Sequence, residues 1–217
     1  MKKIYIILII IVLSIPTIIL SNNYKQSKYT VLIDIEYNEL YLFCDDEYIK
    51  TYSISSGKYS TPSPIGTFKI IKKSNWGEGF GGSWMGLNVP WGKYGIHGTK
   101  EPFNIGYPVS HGCIRLKNDD AKELYDILPY NTKIIITASY GPFHYGIRSL
   151  KSGDIGADVY EIQKRLKNEG YYYGNPTGKF DNNTENAVKR YQEKNNLPVT
   201  KQIGYLEYQS LNIFLMD

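Results

Sequence analysis

The chain has 217 residues, 42% of them hydrophobic, and a formal net charge of +4 at pH 7. That length allows one or two domains of about 100–200 residues, each with an ordinary core. The charge is mild and no basic run is long enough to form a nucleic-acid face, so nucleic-acid binding is excluded as its role. Tyrosine is frequent, with 21 copies. It suits strands as well as sugar- and peptide-binding surfaces, and so does not decide function.

Residues 1–21 place Lys2 and Lys3 before an almost unbroken apolar run, Ile4 to Leu20. Positive charge followed by an apolar core is the pattern of a secretion signal. The run is near the lower limit for a membrane span. No small-x-small cleavage site precedes Ser21, so an uncleaved signal anchor is favoured over a cleaved peptide. Lysines before the span would keep that end in the cytoplasm, placing all that follows outside. Residues 22–28 are a polar tether.

Period-two patterning then begins with Tyr29, Val31, Ile33 and Ile35, and continues through Glu39–Phe43 and Tyr48–Ile54. Tyr37-Asn38 and Asp45-Asp46 are turn signals. Gly66–Lys73 reads as another strand. Residues 74–95 are rich in glycine and aromatics, and read as a long irregular loop of the kind that forms lids or binding walls. Trp76, Phe80 and Trp84 would either pack on a substrate or cover one end of the sheet. Asp120–Leu128 reads as a short helix capped by Asn118 or Asp119, with Ala121, Leu124, Tyr125 and Leu128 inward. Lys133–Ala138 is a final strand.

After a linker at Tyr140–Ser149 the texture turns helical. Val159, Ile162, Gln163 and Leu166 give one face, Thr184–Asn195 a second helix and Tyr205–Leu211 a third.

The chemistry concentrates in Ile96-His97-Gly98-Thr99 and Ser110-His111-Gly112-Cys113-Ile114-Arg115-Leu116. These segments bring one of two cysteines beside two of three histidines. The thiolate is the nucleophilic form of cysteine, and a neighbouring imidazole can generate it. Glycines beside these groups let backbone come close to a substrate and leave N–H groups near the thiol for an oxyanion. Two rivals are a disulfide between Cys44 and Cys113, which would block the nucleophile, and a zinc site on His97, His111 and Cys113. The latter lacks an obvious fourth ligand.

His-Gly-Thr followed by Ser-His-Gly-Cys-Ile-Arg-Leu resembles the signature of L,D-transpeptidases with a YkuD-type catalytic domain. Thr61-Pro62-Ser63-Pro64-Ile65-Gly66-Thr67-Phe68 is similar to that family's Thr-Pro-x-Gly-x-Phe segment. Further on, Leu150–Val159, Ile162-Gln163, Leu166, Gly170–Tyr172, Gly178–Phe180, Thr184, Ala187-Val188 and Tyr191-Gln192 resemble the peptidoglycan-binding domain 1 family. Where that family has Asp-Gly before its last helix this chain has Thr200-Lys201, and its helix threonine is here Glu207.

The resemblances imply a mainly β catalytic domain over 28–139, a YkuD-like β-sandwich with a short helix. They also imply a small all-α three-helix domain over 150–214. They imply a cysteine acyltransferase that makes 3→3 cross-links between peptidoglycan stems, with no cofactor and no metal. Cys113 would be the nucleophile and His97 the base. Gly98 would orient His97 through its carbonyl, and the N–H groups of Gly112 and Cys113 would hold the oxyanion. Ser110, His111, Arg115 and Trp84 would contact substrate, Arg115 by pairing with a carboxylate. The expected partners are peptidoglycan and, through the first 21 residues, a membrane, for a monomer outside the cytoplasm of a bacterium. The alternatives are an L,D-carboxypeptidase that trims tetrapeptides and a non-catalytic wall-binding protein.

Overall fold

Alternation of apolar and polar residues sets up the first strands. In β1 (Tyr29–Asp34) Val31 and Ile33 face inward, and in β2 (Glu39–Cys44) Leu40 and Leu42 do. Asp45 and Asp46 both adopt left-handed backbone, at φ 51° and 68°, which closes the tight turn into β3 (Glu47–Ser53). The computed structural model describes residues 28–213. The apolar run at Ile4–Leu20, and with it the expected anchor, lies outside them. Among the described residues no helix is long and apolar enough to cross a membrane.

The row continues through β4 (Gly66–Ser74), β5 (Trp84–Leu87), β6 (Tyr94–His97), β7 (Ile114–Arg115) and β8 (Lys133–Thr137). Its spatial order is β3-β2-β1-β8-β4-β5-β6-β7. β1 pairs antiparallel with β2 and parallel with β8, whose Ile134 and Ile136 extend the core. The row curls until its ends meet: Ser55, just after β3, bridges Arg115 of β7, and Gly57 bridges Ser110. The expected mainly β domain with one short helix is thus formed by a single curled sheet. Helix α1 (Asn118–Ile127) buries Ala121 and Leu124 against its core.

The sequence reading of 74–95 as an irregular loop is corrected here, because β5 and β6 lie within or overlap it. All four residues of β5 are buried, so they show no period of two. Gly86 and Gly95 occupy positions where strands normally carry branched or aromatic side chains.

The helical part comprises α2 (Ala157–Asn168), α3 (Asn182–Lys194) and α4 (Tyr205–Ser210) around a separate apolar cluster. Two buried glutamines organise it in the same way. Gln163 Nε2 donates to Lys179 O (2.9 Å) and Thr184 Oγ1 (2.8 Å), while its Oε1 accepts from the N–H groups of Thr177 and Gly178 (both 2.8 Å). Gln192 repeats this one helix later. It donates to Gln202 O (3.0 Å) and Glu207 Oε1 (2.8 Å) and accepts from Lys201 N–H (2.9 Å). Gly178 and Lys201 hold the same left-handed backbone, at φ 67° and 60°. Trp91 joins the two cores: it packs edge-on to Phe68 and against Tyr160 of α2, at 5.9 and 5.3 Å between centroids.

Replacing Gln163 by Leu should destabilise this helical unit by about 3 kcal/mol, because it leaves the Thr177 and Gly178 N–H groups without their acceptor. Urea unfolding followed by circular dichroism at 222 nm measures it, and an unchanged midpoint would refute the account of this side chain.

Candidate active site

Strand register puts the candidate sulfur and imidazole together. β6 and β7 run parallel with Ile96 beside Ile114 and His97 beside Arg115. Ile96 and Ile114 point into the core, so Gly95, His97, Cys113 and Arg115 share the opposite face. Cys113 thus sits beside Gly95, two positions back from His97 on the neighbouring strand. At strand spacings this separates the two Cα atoms by roughly 8 Å, within reach of their side chains.

His97 is only 4% exposed. Its Nδ1 lies 2.5 Å from the Gly98 carbonyl oxygen. A carbonyl can only accept, so Nδ1 carries the proton and Nε2 keeps its lone pair for a thiol. The ring is stacked on Trp84 (5.3 Å, 28° between planes) and met edge-on by Phe80 (4.9 Å). Trp84 in turn stacks on Trp76 at 4.3 Å. The aromatics expected to form a lid therefore pack on the imidazole itself. Trp84 fits because Gly86 and Gly95 carry no side chains: a Cβ on Gly95 would stand 2.6 Å from its ring, and one on Gly86 3.0 Å from it.

Electrostatics tie the group together. Burial pushes the His97 imidazole down to about 4; the Gly98 carbonyl opposes this and the Arg115 charge adds to it. Burial pushes the Cys113 thiol up, against a backbone hydrogen bond from Gly95 and the Arg115 charge. Arg115 pairs across the strands with His97 and lies two residues beyond Cys113, so the same guanidinium acts on both groups. At neutral pH the resting pair is a neutral thiol beside a neutral imidazole. Burial also raises the Tyr94 phenol, and the charge of Cys113 raises it further.

The other expected residues divide. Ser110 is wholly buried and holds the turn: its hydroxyl donates to Cys113 O (2.6 Å) and accepts from Gly112 N–H (2.9 Å). Gly112 has φ 108°, and a Cβ there would stand 2.7 Å from the Tyr94 ring. The Gly112 N–H, expected to face an oxyanion, donates to the Ser110 hydroxyl. Among the described residues the Cys113 N–H has no such partner. Ser110, expected to touch substrate, holds the turn that presents Cys113. His111 is exposed. Arg115 Nη1 lies 3.3 Å from Glu101 Oε2, so its ion-pair partner here is a carboxylate of the chain. Both cysteines are free thiols.

Asn118 is the residue that sequence reasoning misplaced. Read as a helix cap, it instead accepts the Thr99 N–H (2.8 Å) and fills the space between the Cα atoms of Gly81 and Gly98. It clamps the loop before β5 onto the loop after His97. Its position at the start of α1 was the visible signal, but its partner 19 residues upstream was not.

A curled β domain holding a half-buried thiol and a tautomer-fixed imidazole on one face defines a candidate cysteine acyltransferase. The family model for the L,D-transpeptidase catalytic domain, YkuD, matches residues 28–136, and a model for a peptidoglycan binding domain matches 155–211. Proteins named as the L,D-transpeptidase YkuD are 41% identical in Bacillus licheniformis, over 50% of this chain and 66% of that one, and 41% identical in Bacillus subtilis, over 50% and 65%. YqjB of Bacillus subtilis is 32% identical over 49% of this chain and 70% of its own length. Among solved structures, an L,D-transpeptidase from Mycobacterium smegmatis aligns at 26% identity over 52% of this chain and 59% of that one, with a TM-score of 0.45. The chain belongs to the L,D-transpeptidase family with a YkuD-type catalytic domain. It spans just under two thirds of the length of the two YkuD proteins it matches.

The buried imidazole makes stability depend on acid. Between pH 6.5 and about 4 the unfolded chain binds a proton at His97 and the folded chain does not. His97 therefore contributes fully above pH 6.5, and that contribution of about 3 kcal/mol is lost as pH falls toward 4. In His97→Gln the loss of unfolding free energy between pH 7 and pH 4.5 should be smaller by roughly 2–3 kcal/mol than in the wild type. Urea unfolding at the two pH values measures it, and equal losses in both proteins would contradict the burial of a neutral ring.

Proposed function

We propose that this chain is a cysteine L,D-transpeptidase acting on peptidoglycan outside the cytoplasm, anchored through residues 1–21 and held to the wall by its helical unit. The observation that carries the reading is the Nδ1–H of His97 bonded to Gly98 O, which leaves Nε2 as a base on the face that holds Cys113.

The proposed steps follow from the neutral pair. As the Cys113 sulfur attacks the carbonyl carbon between the third residue and the terminal D-residue of a tetrapeptide stem, His97 Nε2 takes its proton. The Cys113 N–H donates to the oxygen that gains charge. The C–N bond breaks, and His97 returns the proton to the leaving D-residue's amine. The stem is left as a thioester. An amine from a second stem then attacks the thioester carbonyl and gives up a proton to His97. The C–S bond breaks, a 3→3 amide forms, and the proton returns to sulfur. Water in place of the amine would trim the stem to a tripeptide. The aromatic cover of Trp76, Phe80 and Trp84 favours the amine by limiting water at the sulfur.

A low thiol pKa is not needed. Ion-pair formation ahead of attack would put a charge where burial opposes both partners. Proton transfer in concert with attack avoids that state. Arg115, held by Glu101, places a fixed positive charge beside the sulfur that stabilises the negative charge developing there.

Incubation of residues 22–217 with a tetrapeptide stem should add an acyl mass to the intact protein, and an acceptor amine should convert it to cross-linked product. Cys113→Ala should abolish both, and His97→Gln should slow acylation by 10²–10⁴-fold, the usual worth of a general base. Cross-linking by Cys113→Ala at the wild-type rate would overturn the reading.

A further inference from the structure

The pairing of β4 with β5 slips by one residue between Ile70 and Lys72, so that Ile71 is an extra, bulged residue. Ile70 faces the core and Ile71 is 57% exposed. Without the bulge, Lys72 would follow Ile70 onto the core face. With it, Lys72 pairs with Gly86 and points to the face that carries His97 and Cys113: a Cβ on Gly86 would meet Lys72 Cβ at 3.3 Å and the Trp84 indole at 3.0 Å. Bulges re-aim side chains in this way near functional sites.

Lys72, Gly86, Gly95 and Cys113 therefore form one line across β4, β5, β6 and the start of β7. A cavity of about 370 Å³ lies on this face, bordered by Lys72, Lys93, Trp76, Trp84 and Tyr94. Trp84 and Tyr94 also border the reactive group, through the His97 ring and Gly112. The cavity carries two ammonium groups and no carboxylate in its lining. Lys72 Nζ stands 5.7 Å over the Trp76 ring, and among the described residues neither lysine has an acidic partner.

Resting on the acyl-transfer reading above, we infer that this cavity holds the side-chain arm of the donor stem's diamino acid, and that Lys72 and Lys93 select an arm ending in a free carboxylate over one ending in a carboxamide. The lengths agree. Three strand spacings separate the Cys113 and Lys72 backbones by roughly 14 Å. An extended lysine and a four-carbon arm measured from the scissile carbonyl together reach roughly 14 Å, passing over the Trp84 indole that covers Gly86 and Gly95. The stem's carboxylate supplies the negative charge that the cavity lacks. A carboxamide offers no charge to the ammonium groups.

The test reads binding, so that it is separate from acyl transfer. Two tetrapeptide stems that differ only in carboxylate or carboxamide at the arm's end are titrated into Cys113→Ala protein, followed by calorimetry. The carboxylate form should bind roughly fivefold tighter, the size expected for partly exposed ion pairs. The ratio should fall to near one when Lys72→Met and Lys93→Met are added, and should shrink at 0.5 M salt. Equal affinities, no binding of either stem, or a ratio unchanged by the lysine substitutions would overturn the inference. Thioester formation by the wild-type chain is scored separately: a missing adduct with the carboxylate preference intact removes the acyl-transfer reading and leaves the carboxylate site standing.

Discussion

The enclosure of one neutral imidazole between Trp84, Phe80 and the Gly98 carbonyl is the constraint on which the site depends. Aromatic walls exclude water from the ring, and this is what drives its proton affinity down. The carbonyl fixes which nitrogen holds the remaining proton. A ring that could flip would offer Nδ1 and Nε2 alternately; here one is committed and the other is free. The enclosure requires that Trp84 lie flat across β5 and β6, which requires glycine at 86 and 95. It also requires that the 77–82 loop be pressed onto the 97–99 loop, and Asn118 does that pressing.

The same logic explains Gly112 and Ser110. Gly112 takes a backbone angle that side chains rarely adopt and comes against Tyr94, while the Ser110 hydroxyl bonds both sides of the turn. With the Gly112 N–H engaged, the turn leaves the Cys113 N–H next to the sulfur. A two-donor oxyanion site would demand that Ser110 release Gly112, at the cost of a buried hydrogen bond. A single preorganised donor beside a fixed guanidinium needs no such rearrangement.

Much of the fold was legible in the sequence. Val31, Ile33, Leu40, Leu42, Ile134 and Ile136 alternate as half-buried strands must, and each lies in the core. The helical faces at Val159–Leu166 and Ala187–Tyr191 are equally direct. What the sequence hid is what the site is made of. β5 and β6 were read as loop because their glycines, placed for Trp84, remove the pattern by which strands are recognised. Asn118 reads as a helix cap because a polar side chain at a helix start has local partners available, whereas its actual partner depends on which loop the fold brings across. Cys113 and His97 were visible because their types are rare in this chain and their chemistry is specific; Arg115 was visible too, but not that Glu101 would pair with it.

The helical unit shows how a departure from a family pattern can keep the physics. Thr200-Lys201 and Glu207 replace residues that the peptidoglycan-binding resemblance led us to expect. Yet Gln192 binds them as Gln163 binds Thr177-Gly178 and Thr184. The Glu207 carboxylate accepts from Gln192 with one oxygen and from Gly204 N–H, at 2.7 Å, with the other, so it anchors the loop and starts α4 at once. A threonine hydroxyl has one oxygen for such a task. Glutamate spans both donors, and this compensates for a lysine held in left-handed backbone where glycine would be unstrained. The substitutions are thus coupled through one buried amide. They preserve the fold, which Gln192 sets, while changing the surface that the loop presents.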